Sequence, residues 1–353
     1  MERKKLSFQS NRSTIISLLL FLSICVVGFV LRVARTVLIP LGIAMLLAVL
    51  SRPIAYFLDT LRIPKLVSVL LIIAVILSLG VLFGVIFFAG IQTLLEDLPE
   101  LQEVISELSD LVLAGAARIF EGFEFEGDVI NTRELLGQLS SLVVSVSNAS
   151  FEVLRYFGLT LFFLFFILLE IQSIQGGLQK ALEGNPNRVG YFVVLRRIYK
   201  SVFRYASIKL LISLLTSVLV LIVCLSFSVP NALLWMILTF LFNFIPYIGS
   251  ILISGIISIY AFSQFTPNYP VVIAVAALVS SIQLVLGNII EPKVMGDQLN
   301  LNPFFILLAL VSWGLMWDIA GMFLAVPLTM CIKIVLSNTN ALSRLGVFME
   351  RKN

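Results

Sequence analysis

The apolar residues of this chain fall in long runs, not in alternation. Runs at about 14–31, 36–57, 66–91, 153–173, 207–228 and 270–290 approach or exceed the length a helix needs to cross a bilayer. Strands of a transmembrane barrel would alternate apolar and polar positions, and these runs do not. Two more runs are too long for one upright crossing, at 32 residues (231–262) and 34 residues (303–336). A straight helix of that size measures about 48 Å, against a hydrocarbon core of about 30 Å. Each is interrupted near its centre, the first by "NFIPYIGS" (243–250) and the second by "GLMWDIAG" (314–321). The pattern predicts an all-α polytopic membrane bundle of about eight membrane segments. The two long segments are either kinked spans or re-entrant hairpins.

The two breaks correspond. A shift of 72 residues lays Gly249 on Gly321 and Pro246 on Asp318, and each broken segment follows an intact apolar span. This predicts a repeat, a candidate inverted one, of one helix followed by one broken helix. Transporters place binding sites at such interruptions, where irregular backbone must be satisfied by protein or trapped water.

Polar positions divide the remainder. Residues 92–150 form an acidic insert, in which only Arg118 and Arg133 oppose eleven Asp and Glu residues. Leu94, Leu98, Leu101, Ile105, Leu108 and Val112 step by four and three, a heptad seam. A second apolar face follows at Leu135, Leu139, Leu142 and Val146. The two seams can pack on each other as a local hairpin or, over 94–146, join copies of the chain as a homo-oligomer. The organisation expected is therefore spans 1–91, insert 92–150, span and basic connector 151–206, core 207–337 and tail 338–353.

Composition agrees: the chain is 59% hydrophobic and 12% charged, with mean hydropathy +1.07. It has no histidine, and Cys25, Cys224 and Cys331 all lie in apolar segments without metal-ligand or redox spacing. No nucleotide, zinc or catalytic-triad motif occurs, so neither enzyme activity, cofactor, metal nor nucleic-acid partner is expected. The basic start is read as leading into an uncleaved first span, because no cleavage pattern follows it. That start and the 178–206 connector, with six basic residues against Glu183, belong in the cytoplasm by the positive-inside rule. Both termini then face the cytoplasm and the acidic insert lies outside. Arg32 and Arg35 fall on the wrong side and are expected to snorkel to headgroups.

Residues 210–290 contain no Asp, Glu, Lys or Arg, which makes their polar groups conspicuous. Asn243 offers an amide, for a solute or as the cap of a half-helix beginning near Pro246. Ser250, Gln283 and Asn288 can line a pathway. Glu291, beside Pro292 where the span is expected to end, is a titratable candidate. Asp318 is the only charge between Asp297 and Lys333, and it costs at least about 2.5 kcal/mol if it faces lipid. It suits proton coupling, or a turn cap. Pro246, Gly249 and Gly321 are the helix-breaking members of the same pathway set. Arg204 and Lys209 form a basic cytoplasmic entrance, with snorkelling as the default reading.

At these residues the chain resembles the autoinducer-2 exporter family of bacterial membrane proteins. "YASIKLLISLLTSVLV" (205–220), "FNFIPYIGS" (242–250), "NIIEPKVMG" (288–296) and "GMFLAVPLTMCIKIVL" (321–336) carry the resemblance, in order and spacing. Its quorum-signal exporter branch is the most similar. Asp318 departs from that branch, which tends to small or apolar residues there. The resemblance implies a secondary transporter of the bacterial inner membrane, with the bilayer and a small molecule or cation as partners. Three functions remain open: export of a small polar solute such as autoinducer-2, Na+ or Li+/proton antiport, and a scaffold that transports nothing.

Overall fold

The computed structural model describes residues 18–19, 22–23, 25–97, 132–184, 188–295 and 302–338. The described residues are helical with no strand, and seven helices are long and apolar enough to cross a membrane. The chain is a polytopic helical membrane bundle. After helical residues 25–33 come α1 (Arg35–Thr60), α2 (Lys65–Glu96), α3 (Thr132–Ala181), α4 (Arg188–Ser226), α5 (Ala232–Phe242), α6 (Ile248–Phe265) and α7 (Tyr269–Gln283). A π-helical segment, Leu284–Ile290, joins α7 to α8 (Glu291–Met295), and α9 (Pro303–Ser337) comes last.

Two helices run past the expected boundaries. α3 joins the second apolar face of the insert to the following span in 50 residues, and α4 joins most of the basic connector to the next span in 39. The physical reason is the spacing of proline: none occurs between Pro99 and Pro186, or between Pro186 and Pro230. Nothing along those stretches removes a backbone donor or clashes with the preceding turn. The first seam lies almost wholly outside the described residues, as does the tail beyond 338.

α4 is the axis of the bundle, with α1, α5, α7, α8 and α9 packed around it. Both long apolar segments fold back on themselves, so neither is a kinked span. In the first, Asn231 Nδ2 donates to Tyr260 Oη at 3.3 Å, and the Trp235 and Tyr260 rings lie 4.9 Å apart. Twenty-nine residues of continuous helix would separate Asn231 from Tyr260 by about 44 Å. The chain reverses at Asn243–Tyr247, where Tyr247 takes φ 62°. Gly249 then passes so close to α5 that a Cβ there would collide with the Phe242 carbonyl oxygen.

The second reversal has the same construction. Non-helical backbone at Trp317 and Asp318, the latter at φ 55°, divides α9 into two arms. A Cβ on Gly321 would collide with the Trp313 carbonyl oxygen. One on Gly314 would sit 2.9 Å from Met322 Cε. Ile306, Leu310, Val326 and Met330 from the two arms share one core cluster. The repeat expected from the 72-residue shift is therefore a repeat of turns, each closed by the aligned glycine.

The hairpins enter the bundle from opposite ends. The open end of the first packs with Val220, Val223 and Cys224, late in α4. Its tip residue Ile245 shares a cluster with Tyr205, early in α4, and with the arms of the second hairpin. Phe244 at that tip stacks on Phe323 at 4.6 Å, so the hairpins touch.

Candidate solute pathway

The first hairpin presents a polar face. Ser250, Ser254 and Ser258 recur every fourth residue on α6, which puts them on one stripe of the helix. Opposite them stand Ser280 and Gln283 of α7 and Asn288 of the π segment, and together they line an open groove of about 340 Å³. Among the described residues, no charged one lines it. Gln283 is 3% exposed, and neither atom of its amide has a partner among the described residues; Ser254 Oγ is also buried and unpartnered. An unsatisfied buried polar group costs about 1–3 kcal/mol. Three such atoms beside one groove are groups that a hydrogen-bonding solute can satisfy.

The π segment sets the other side of the site. Such a turn is wider than an α turn and shifts the register of the residues after it. Pro292 therefore does not end the span, as expected from sequence. It is the second residue of α8, which follows the wider turn without a break, so the helix runs on through it. Glu291 just before it accepts from Lys209 Nζ at 2.6 Å, with side chains 13% and 2% exposed. Lys209 does not snorkel; it is a buried partner of Glu291. Arg204, one turn earlier on α4, is exposed and apart from that pair.

Asn243 ends α5 and donates from Nδ2 to Ser213 Oγ at 2.9 Å, both residues being buried. It does not cap α6, whose N-cap position is Tyr247 with no side-chain cap bond. Pro246 and Gly249 belong to the same turn. Asp318 and Gly321 lie at the other hairpin's turn. There Asp318 accepts from Arg35 Nη1 at 3.0 Å, both side chains being exposed, and Trp317 Nε1 donates to the Leu31 carbonyl at 2.9 Å. Arg35 thus has a protein partner besides any headgroup.

The structure brings Ser250, Gln283 and Asn288 into one groove, and Lys209 and Glu291 into one ion pair. It does not bring Asp318 or Gly321 to either. Sequence reasoning missed Ser213, Ser254, Ser258 and Ser280. The period-four serines were a usable signal, as was the run Lys209, Ser213, Thr216 on one face of α4.

Opposed helical hairpins around a central helix, with a polar groove between α6 and α7 that no charged described residue lines, suit a membrane transporter. A family model described as AI-2E family transporter matches residues 15–341, and the chain belongs to that family of membrane transporters. A chain of Borreliella burgdorferi, named as a candidate transport protein, is 30% identical over 90% of this chain and 86% of its own length. The AI-2 transport protein TqsA of Escherichia coli is 28% identical over 92% of each chain.

Proposed function

We propose that this protein exports a small, uncharged, polar solute of the autoinducer-2 kind, as a secondary transporter of a bacterial inner membrane with both termini in the cytoplasm. The observation that carries this reading is the unpartnered Gln283 amide on a serine-lined groove with no charge. Hydroxyls and amides are matched by a solute rich in hydroxyls, and the described lining offers no carboxylate to neutralise a bound cation. The similarity to TqsA supports the same class of solute.

The test is efflux of autoinducer-2 from proteoliposomes, with internal pH followed in the same vesicles. Wild-type protein is expected to speed efflux, and Gln283→Leu to reduce it about tenfold, as for loss of one or two buried hydrogen bonds. Equal efflux from wild-type and protein-free vesicles would end this reading.

A second reading, Na+ or Li+/proton antiport, draws on the buried Lys209–Glu291 pair, since a carboxylate released from its lysine could exchange a proton for a cation. Sodium-driven proton movement in wild-type vesicles, lost in Lys209→Gln/Glu291→Gln, would favour it. Homo-oligomer formation through 94–146 belongs with these proposals, and crosslinking in the membrane addresses it.

A further inference from the structure

A second cavity, of about 220 Å³, lies away from the serine groove, between α1, α2 and the end of α3. Its walls follow helical spacing on both sides. Arg52, Ala55, Tyr56 and Asp59 come from one face of α1, and Lys65, Ser68, Val69 and Ile72 from one face of α2. The two helices are joined by a short turn after Thr60, so Asp59 and Lys65 flank the cavity's outer end. Arg52 lies seven residues deeper, about 10 Å along the helix. Ile72 and Leu168 form an apolar floor. From the floor outward the lining is thus apolar, then cationic with a hydroxyl, then mixed in charge.

Two features show a site prepared for a ligand. Ser68 is 3% exposed, lines the cavity, and its Oγ has no partner among the described residues. Arg52 is held by the face of the Tyr199 ring, 4.8 Å from its centroid, and among the described residues no carboxylate lies within ion-pair distance of it. A stacked guanidinium keeps its charge and its donors available for an anion. The lining holds two cations against the single carboxylate of Asp59, which itself suits an ammonium.

We propose that this cavity binds a phosphoethanolamine group, its phosphate on Arg52, Tyr56 and Ser68 and its ammonium on Asp59. The apolar floor adds room for the glycerol and the first methylenes, so the group is best met on a phospholipid. Basic pockets between membrane helices at the cytoplasmic boundary bind lipid headgroups by this chemistry. Asp59 distinguishes this pocket from a purely anionic site, because a primary ammonium can donate hydrogen bonds to it and a trimethylated one cannot.

Native mass spectrometry of the full-length protein, released from detergent with equimolar phosphatidylethanolamine, phosphatidylcholine and phosphatidylglycerol, tests the proposal. The ethanolamine lipid is expected to be retained about fivefold over the choline lipid, the worth of roughly one hydrogen bond to Asp59. Asp59→Asn, a change at an exposed side chain, should erase that preference and leave phosphatidylglycerol retention intact. Arg52→Gln should lower retention of all three lipids, and Ser68→Ala should do so more weakly. Soluble phosphoethanolamine is the second arm. Failure to displace the lipid assigns the site to the lipid-borne group, and displacement assigns it to the free one. Equal retention of the ethanolamine and choline lipids, or an unchanged preference in Asp59→Asn, would overturn the proposal.

Discussion

The hairpin of α5 and α6 and the hairpin within α9 reverse by one device: a residue at positive φ, then a glycine pressed on a backbone carbonyl. They differ in what their arms carry. α6 bears three serines on one stripe, facing Gln283 across a groove. The arms of α9 carry no such stripe, and Ile306, Leu310, Val326 and Met330 bury themselves in the core. A buried ion pair joins α4 to the first residue of α8, beyond the first hairpin, whereas the tip of the second hairpin is fixed by an exposed one. A break in a membrane helix thus makes a turn; the residues beside it decide whether the turn serves a site. On this account the first hairpin is the solute-facing one and the second is its structural counterpart.

The largest effect is expected at the buried Lys209–Glu291 pair. Lys209→Met or Glu291→Leu alone leaves a buried charge without its partner and should cost about 3–5 kcal/mol in unfolding measurements in mixed micelles. The double variant should recover most of that loss. A single variant as stable as wild type would mean that the pair is solvated.

Gly249→Ala and Gly321→Ala come next, each expected to destabilise by about 1–3 kcal/mol through overpacking against a carbonyl. The prediction is that the two costs agree. If one is negligible, the turns are not equivalent.

Transport sharpens the contrast. Gln283→Leu should leave stability unchanged or raised, because it removes a buried amide without a partner, yet should impair efflux. Asp318→Gly should leave efflux intact. Its stability effect should be the smallest of the series: loss of an exposed bridge worth less than about 1 kcal/mol, offset by relief of a backbone angle that favours glycine. Fluorescence-detected thermal unfolding of both variants, beside the efflux assay, separates the two hairpins in one experiment.

Much of the architecture was legible because run length and charge are local properties. Two segments too long to cross upright, each with a glycine at matching positions, already implied matching interruptions. The choice between kink and hairpin was not legible, since both fit the same length; contacts such as Asn231 with Tyr260 decide it, and they join residues far apart in sequence. For the same reason the sequence alone makes Lys209 a snorkelling residue, its partner Glu291 being 82 positions away. The serine stripe escaped notice for another cause. Serines in apolar helices commonly bond to their own backbone, as Ser258 does to the Ser254 carbonyl, and so carry little signal alone. Gln283 stood out because a glutamine amide has no such local partner.

Single-cysteine labelling tests the opposed hairpins most directly. In a background lacking Cys25, Cys224 and Cys331, cysteines are placed at Asn268 and Gln298, and intact cells are exposed to a thiol reagent that cannot cross the membrane. Two hairpins entering from opposite sides put Asn268 outside, where it labels, and Gln298 in the cytoplasm, where it labels only after the cells are opened. The reverse pattern, Asn268 protected and Gln298 labelled in intact cells, is the topology of two crossing spans and would contradict the account.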